Sequence, residues 1–186
     1  MRVFFYGTLL DTDIRRAVLQ DLCDSLTMTP AELPSFRRVT ARDSDYPVLV
    51  PCPSGRVKGY LADGLDLQGL ARAAYFEGAK YHPVQRAVRD SSGQWETAWL
   101  FLPVTPRHHA NRTRWSLLRW QRQRKRRVLS MTKRWMAEFG ARSLVGSDLS
   151  WQGRRTLRRL EQDRALAAHS HKGGFSRNTT RGRAAA

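Results

Sequence analysis

The chain's 186 residues are enough for one domain with a proper core plus an appendage. Its formal net charge of +17 is one-sided: residues 1–106 hold 12 basic and 12 acidic side chains (12 − 12 = 0), and residues 107–186 hold the remaining 21 and 4 (21 − 4 = +17). Two cysteines, Cys23 and Cys52, argue against a disulfide framework or a thiolate metal centre, and no stretch approaches a membrane span.

Residues 2–6 predict a buried strand, because their apolar run Val3-Phe4-Phe5-Tyr6 is continuous, and the run breaks directly into Gly7-Thr8-Leu9. A glycine there lets the backbone turn sharply and leaves its N–H groups uncovered, a candidate anion cradle. Only Arg2 precedes this run, which is far shorter than a signal-peptide core, so a cytoplasmic protein is expected. Asp11 or Thr12 is placed to cap a helix carrying Ile14, Val18 and Leu22 at helical spacing. Pro30 and Pro34 predict a loop after it. Residues 37–40 and 48–50 read as short strands about the polar Asp43-Ser44-Asp45 turn. Pro51, Pro53 and Gly55 predict another turn, and residues 57–61 the next strand.

Residues 68–75 are helix-compatible, with Leu67, Leu70, Ala71 and Ala74 on one side, and such a helix delivers Glu77 at its end. In Tyr75-Phe76-Glu77-Gly78-Ala79-Lys80-Tyr81 a carboxylate sits among rings that would desolvate it, the setting of a general base. Read alone, without any further context, Glu77 is more readily a solvated loop carboxylate than a base. Residues 84–88 and 95–102 follow as strands about an Asp90-Ser91-Ser92-Gly93 hairpin turn. These elements predict a mixed α/β domain around a small curved sheet or β-barrel with flanking helices. Glu32 and Glu96 read as surface residues.

Pro103 and Pro106 mark the charge boundary, giving a domain over 1–106, a basic helical extension over 107–169 and a disordered tail over 170–186. His108-His109 read as hinge residues. Beyond them Trp115, Leu118, Leu129, Thr132, Trp135, Met136 and Phe139 form a partial apolar stripe, predicting one long basic helix that ends near Gly140. A second helix is expected from about Ser147 through Leu149, Leu157, Leu160 and Leu166. The extension has two readings: a solvated face whose apolar side packs on the core, or contact with an anionic partner such as nucleic acid or a membrane surface.

Several strings recur in register: Phe5-Tyr6-Gly7-Thr8-Leu9, then Tyr46-Pro47-Val48-Leu49-Val50-Pro51 with Gly55-Arg56-Val57-Lys58-Gly59, then Phe76-Glu77-Gly78 with Tyr81. In these the chain resembles the gamma-glutamylcyclotransferase-like family, which includes gamma-glutamylamine cyclotransferases and the avirulence-induced proteins of plants. The resemblance covers roughly the first hundred residues. It implies cyclisation of a γ-glutamyl compound to 5-oxoproline with release of an amine. Glu77 would be the general acid/base, and the loop Tyr6, Gly7, Thr8 and Leu9 would hold the substrate, with Tyr46 and Tyr81 lining the pocket. No metal or other cofactor is implied. The alternative is a non-catalytic pocket domain whose Arg-rich helices bind nucleic acid or an anionic membrane surface. Ala74 stands where the family commonly has an aspartate, and His82-Pro83 follow Tyr81 where an arginine is common, which leaves substrate choice open.

Overall fold

A computed structural model of the chain describes residues 1–42, 44–104 and 110–139. The first strand, β1 (Val3–Phe5), is buried at every position, as a continuous apolar run requires. A single 3-10 turn (Thr8–Leu10) leads into helix α1 (Thr12–Leu19), and a further 3-10 segment (Gln20–Ser25) ends it. Two long strands follow, β2 (Thr27–Ala41) and β3 (Pro47–Asp63), then helix α2 (Leu67–Glu77). Strands β4 (Tyr81–Asp90) and β5 (Trp95–Pro103) form the predicted hairpin. A short strand β6 (Ala110–Arg114) and helices α3 (Leu117–Gln123) and α4 (Lys125–Ala137) complete the described residues.

Five of the strands close on themselves. β1 pairs antiparallel with β3 (Phe5↔Tyr60) and parallel with β5 (Val3↔Trp99). β5 pairs with β4, β4 with β2 (Ala31↔Asp90), and β2 with β3, which returns to β1. The result is a closed five-stranded β-barrel with flanking helices, and β6 is added outside β2 through Val39↔Arg114. Side-chain alternation along β1 separates two apolar clusters. Phe4 joins Leu33, Leu49, Val57, Val88 and Leu100, contributed by all five strands, to fill the barrel. Val3 and Phe5 face outward to Ile14, Val18, Leu70 and Ala73 beneath the helices.

Three sequence expectations are corrected. The loop predicted at Pro30 and Pro34 is part of β2, opposite Tyr60 and Arg56 of β3. β4 reaches β2 only at Ala31 and Glu32, and β6 only near Val39 and Ala41, so both prolines sit where β2 has one open edge and a missing N–H costs little. The turn predicted at Pro51, Pro53 and Gly55 lies within β3, although pairing there is interrupted. Residues 27–34 pair with 56–63 and residues 36–40 with 47–51, leaving residues 52–55 against Ser35, whose φ is 63°. The single basic helix is two, broken at Arg124 (φ −129°, ψ −23°) inside the run Arg122-Gln123-Arg124-Lys125-Arg126-Arg127. Like charges repel along that run. Acids elsewhere take up two of them: Arg124 pairs with Asp45 at 2.9 Å, and Lys125 with Asp11 at 2.9 Å and Asp13 at 2.7 Å.

The change of charge after residue 106 is not a change of packing. Trp115, Trp120, Val128 and Met136 are buried in the same cluster as Val3, Phe5 and Leu70, so the apolar side of this basic stretch lies on the core. The hinge at His108-His109, the helix expected from Ser147 and the tail from residue 170 lie outside the described residues. Among the described residues no helix is long and apolar enough to cross a membrane.

Candidate active site

β1 hands the chain directly to the cradle. Tyr6, 6% exposed, donates its hydroxyl hydrogen to the Phe101 carbonyl of β5, which fixes the ring across the barrel end. Gly7 then turns the backbone at φ −118°, ψ −142°, and the Leu10 N–H donates to the Gly7 carbonyl at 3.0 Å, closing the 3-10 turn. The turn itself offers no acceptor to the N–H groups of Thr8 and Leu9 that open it. From behind, the Arg15 guanidinium donates to the Leu9 carbonyl at 2.9 Å and Arg38 donates to the Tyr6 carbonyl. A Cβ on Gly7 would meet Pro47 Cγ at 2.8 Å, so the hairpin that carries Tyr46 lies directly against the cradle. Gly7→Ala is therefore expected to force loop and hairpin apart and raise KM roughly tenfold, since misplaced binding donors cost an order of magnitude. An unchanged KM would show that this contact does not set the cradle's shape.

Helix α2 brings the carboxyl. Its N-cap Asp66 accepts from the Gly69 N–H at 2.7 Å, and at its other end Gly78, at φ 69°, donates its N–H to Ala74 O at 3.0 Å. That left-handed cap favours glycine and leaves Glu77 as the last helical residue. Tyr81, four residues after Glu77, opens β4 and donates its hydroxyl hydrogen to the Pro47 carbonyl at 3.1 Å.

The seven residues singled out from sequence, Tyr6, Gly7, Thr8, Leu9, Tyr46, Glu77 and Tyr81, all line one cavity of about 250 Å³. Burial pushes the Glu77 carboxyl up from 4.5 to about 8. Burial also raises the tyrosines Tyr6, Tyr46 and Tyr81, and a negative charge on Glu77 raises each of them further, so the three phenols stay neutral hydrogen-bonding groups about it. Glu77 is the one carboxyl on the described cavity wall and Lys80 the one cation. Neither departure from the family pattern lines it: Ala74 is buried a turn earlier, and His82 pairs with Leu102 in the β4–β5 hairpin. Among the described residues no group of His, Cys, Asp or Glu could hold a metal ion.

Ser44, Lys80, Phe101 and Pro103 also line the cavity and escaped the sequence reading. Lys80 stood within the Glu77 string, whereas Phe101 and Pro103 reach the site through the pairing of β5 with β1 and β4. Residues of the basic stretch buttress the wall from outside. Trp115 Nε1 donates to Asp45 O at 2.9 Å, Arg124 pairs with the Asp45 side chain, and Trp135 stacks on Tyr75 with ring centroids 4.9 Å apart.

The sequence profile of a family described as "Gamma-glutamyl cyclotransferase, AIG2-like" matches residues 3–122. The chain belongs to this family. AIG2-like protein D of Arabidopsis thaliana is 31% identical over 94 residues, 50% of this chain and 60% of that protein, so the match spans less than two thirds of its length. A solution structure of another Arabidopsis thaliana protein superposes with a TM-score of 0.52 at 21% identity, covering 78% of this chain and 91% of that one, which shows the shared fold. A solved gamma-glutamyl cyclotransferase gives 0.49 at 14% identity, covering 86% and 98%.

Proposed function

We propose that the cavity cyclises a γ-glutamyl compound to 5-oxoproline and releases an amine. The observation that carries this reading is a half-buried, desolvated carboxyl, Glu77, lining the same cavity as Tyr6, Gly7, Thr8 and Leu9, whose turn has backbone N–H groups to offer an anion, the pairing of proton carrier and anion donors that the reaction requires. As a carboxylate, Glu77 takes a proton from the substrate's α-ammonium. The freed amine attacks the γ-carbonyl, a carbon–nitrogen bond forms, and the developing oxyanion is met by backbone N–H donors of the cradle. Glu77 then returns the proton to the leaving nitrogen as the old carbon–nitrogen bond breaks, and the second proton shed by the attacking nitrogen goes to the departing amine, which leaves as its ammonium ion. One carboxyl serves both transfers, and its raised pKa suits it to each.

The direct test is 5-oxoproline release from a panel of γ-glutamyl amino acids, peptides and amines. Turnover of any member supports the reading, and silence across the panel overturns it. Because the free protein holds Glu77 protonated below about pH 8, kcat/KM is expected to rise roughly tenfold per pH unit on the acid side and level above that point. A flat profile from pH 6 to 9 would remove Glu77 as the base.

A further inference from the structure

On the outer face of the β2–β3 hairpin, away from the cavity, lies a groove of about 540 Å³ whose charged lining is one-sided: Arg37, Arg38, Arg56, Lys58 and Arg114 against a single carboxylate, Glu32. That carboxylate approaches Arg56 only to 3.9 Å. Strand alternation explains how the cations converge. Arg56 and Lys58 flank the buried Val57, so both point outward, roughly 7 Å apart along β3. β6 supplies Arg114 directly beside Val39, the neighbour of Arg38.

Arg38 forms the half-buried floor. Its guanidinium lies 5.0 Å from the centre of the Trp115 ring and donates to the carbonyls of Tyr6 and, at 3.4 Å, Lys58. Burial and the neighbouring Arg114 both disfavour its charge. A solvated basic face spreads its charges apart. Here they are crowded into a concavity whose walls focus the field, and guanidinium groups there match phosphoryl oxygens in geometry as well as charge.

We propose that this groove is a binding site for an anion carrying several adjacent phosphoryl groups, distinct from the γ-glutamyl cavity and independent of the reaction proposed there. Arg56, Lys58 and Arg114 hold the phosphoryl oxygens at the rim, and Arg38 supplies the floor. The same guanidinium holds the Tyr6 carbonyl, so the groove and the cradle share one side chain.

The test uses the full chain with two probes, inorganic tripolyphosphate and a short single-stranded oligonucleotide, titrated at low and raised salt. The variant R56Q/K58Q removes two rim charges from exposed positions outside the cavity. R126Q/R134Q removes two exposed charges from α4 and serves as the control for non-specific attraction. The expected result is a loss of tenfold or more for R56Q/K58Q, with a salt slope smaller by about two, and less than threefold for the α4 pair. The Trp115 indole N–H resonance should also shift on titration, since the Arg38 guanidinium covers that ring. Tripolyphosphate binding assigns the site to free oligophosphates, and binding of the oligonucleotide alone assigns it to a phosphodiester strand. Binding of neither probe, or an equal loss in the α4 variant, overturns the proposal.

Discussion

Glu77→Gln is expected to lower kcat for 5-oxoproline release by about 10²- to 10⁴-fold, the range a positioned proton carrier contributes, and at the same time to make the protein more stable. Gln matches Glu in size and keeps a hydrogen-bonding head, so the cavity retains its shape while the group that moves the proton is gone. The stability gain follows from the direction of the shift. In the unfolded chain the carboxyl ionises near 4.5, and in the folded chain burial delays ionisation to about 8. Between those values the unfolded state alone gains the charged form, so folding weakens as pH rises and the penalty is complete above about 8. Replacing Glu77 by a neutral amide removes that penalty, roughly 3 kcal/mol at pH 7 and close to nothing near pH 4. Urea unfolding of both proteins at pH 4, 7 and 8.5, beside turnover, reads both effects. Activity retained in the variant ends the proposed mechanism. Equal stability at all three pH values would show that the carboxyl is not buried as described.

The opposition between activity and stability also explains what was legible in the sequence. A carboxyl placed among aromatic side chains breaks the local rule that acids face water, and that violation stood out in Tyr75-Phe76-Glu77. The apolar run of β1, a cap at Asp11 or Thr12 and a helix over 68–75 that delivers Glu77 at its end are local signals, each written within a few residues; the structure has the strand, caps α1 with Asp11 and carries α2 on to Glu77. The prolines misled because their effect depends on the far partner. Pro30 sits in a strand only because β4 leaves that stretch of β2 open, a matter of pairing across some sixty residues of sequence. The buttress was hidden for the same reason. Arg124 reads as one cation in a basic run until folding brings Asp45 beside it, and Trp115 as one stripe residue until its indole meets the Asp45 carbonyl.

Asp11→Ala is expected to cost roughly 3 kcal/mol of stability, the range for removing one partner from a buried ion pair, and to lower Tm by several degrees. Asp11 is 1% exposed and occupied on both oxygens. Oδ1 caps α1 by accepting from the N–H groups of Asp13 and Ile14 at 3.0 and 3.2 Å. Oδ2 accepts from Gln121 Nε2 at 2.8 Å and pairs with Lys125 at 2.9 Å, tying α3 and α4 to the start of α1. The Asp11 N–H donates to the Thr8 carbonyl at 3.0 Å, so the residue that receives the basic helices also closes the cradle turn. Asp11→Asn separates the two roles. The amide oxygen can still cap, but the charge that Lys125 answers is gone, so about half the loss should remain. Burial by itself would raise this carboxyl, yet Lys125, Gln121 and the Ile14 N–H hold it below its ordinary 3.8. A lowered carboxyl stabilises the fold above 3.8 and loses that contribution as pH falls through its folded value. The gap between wild type and Asp11→Asn should therefore be widest at neutral pH and close in acid. Denaturant unfolding across this range is the measurement. If Asp11→Asn equals wild type at pH 7, the basic helices do not hold the cradle through this residue.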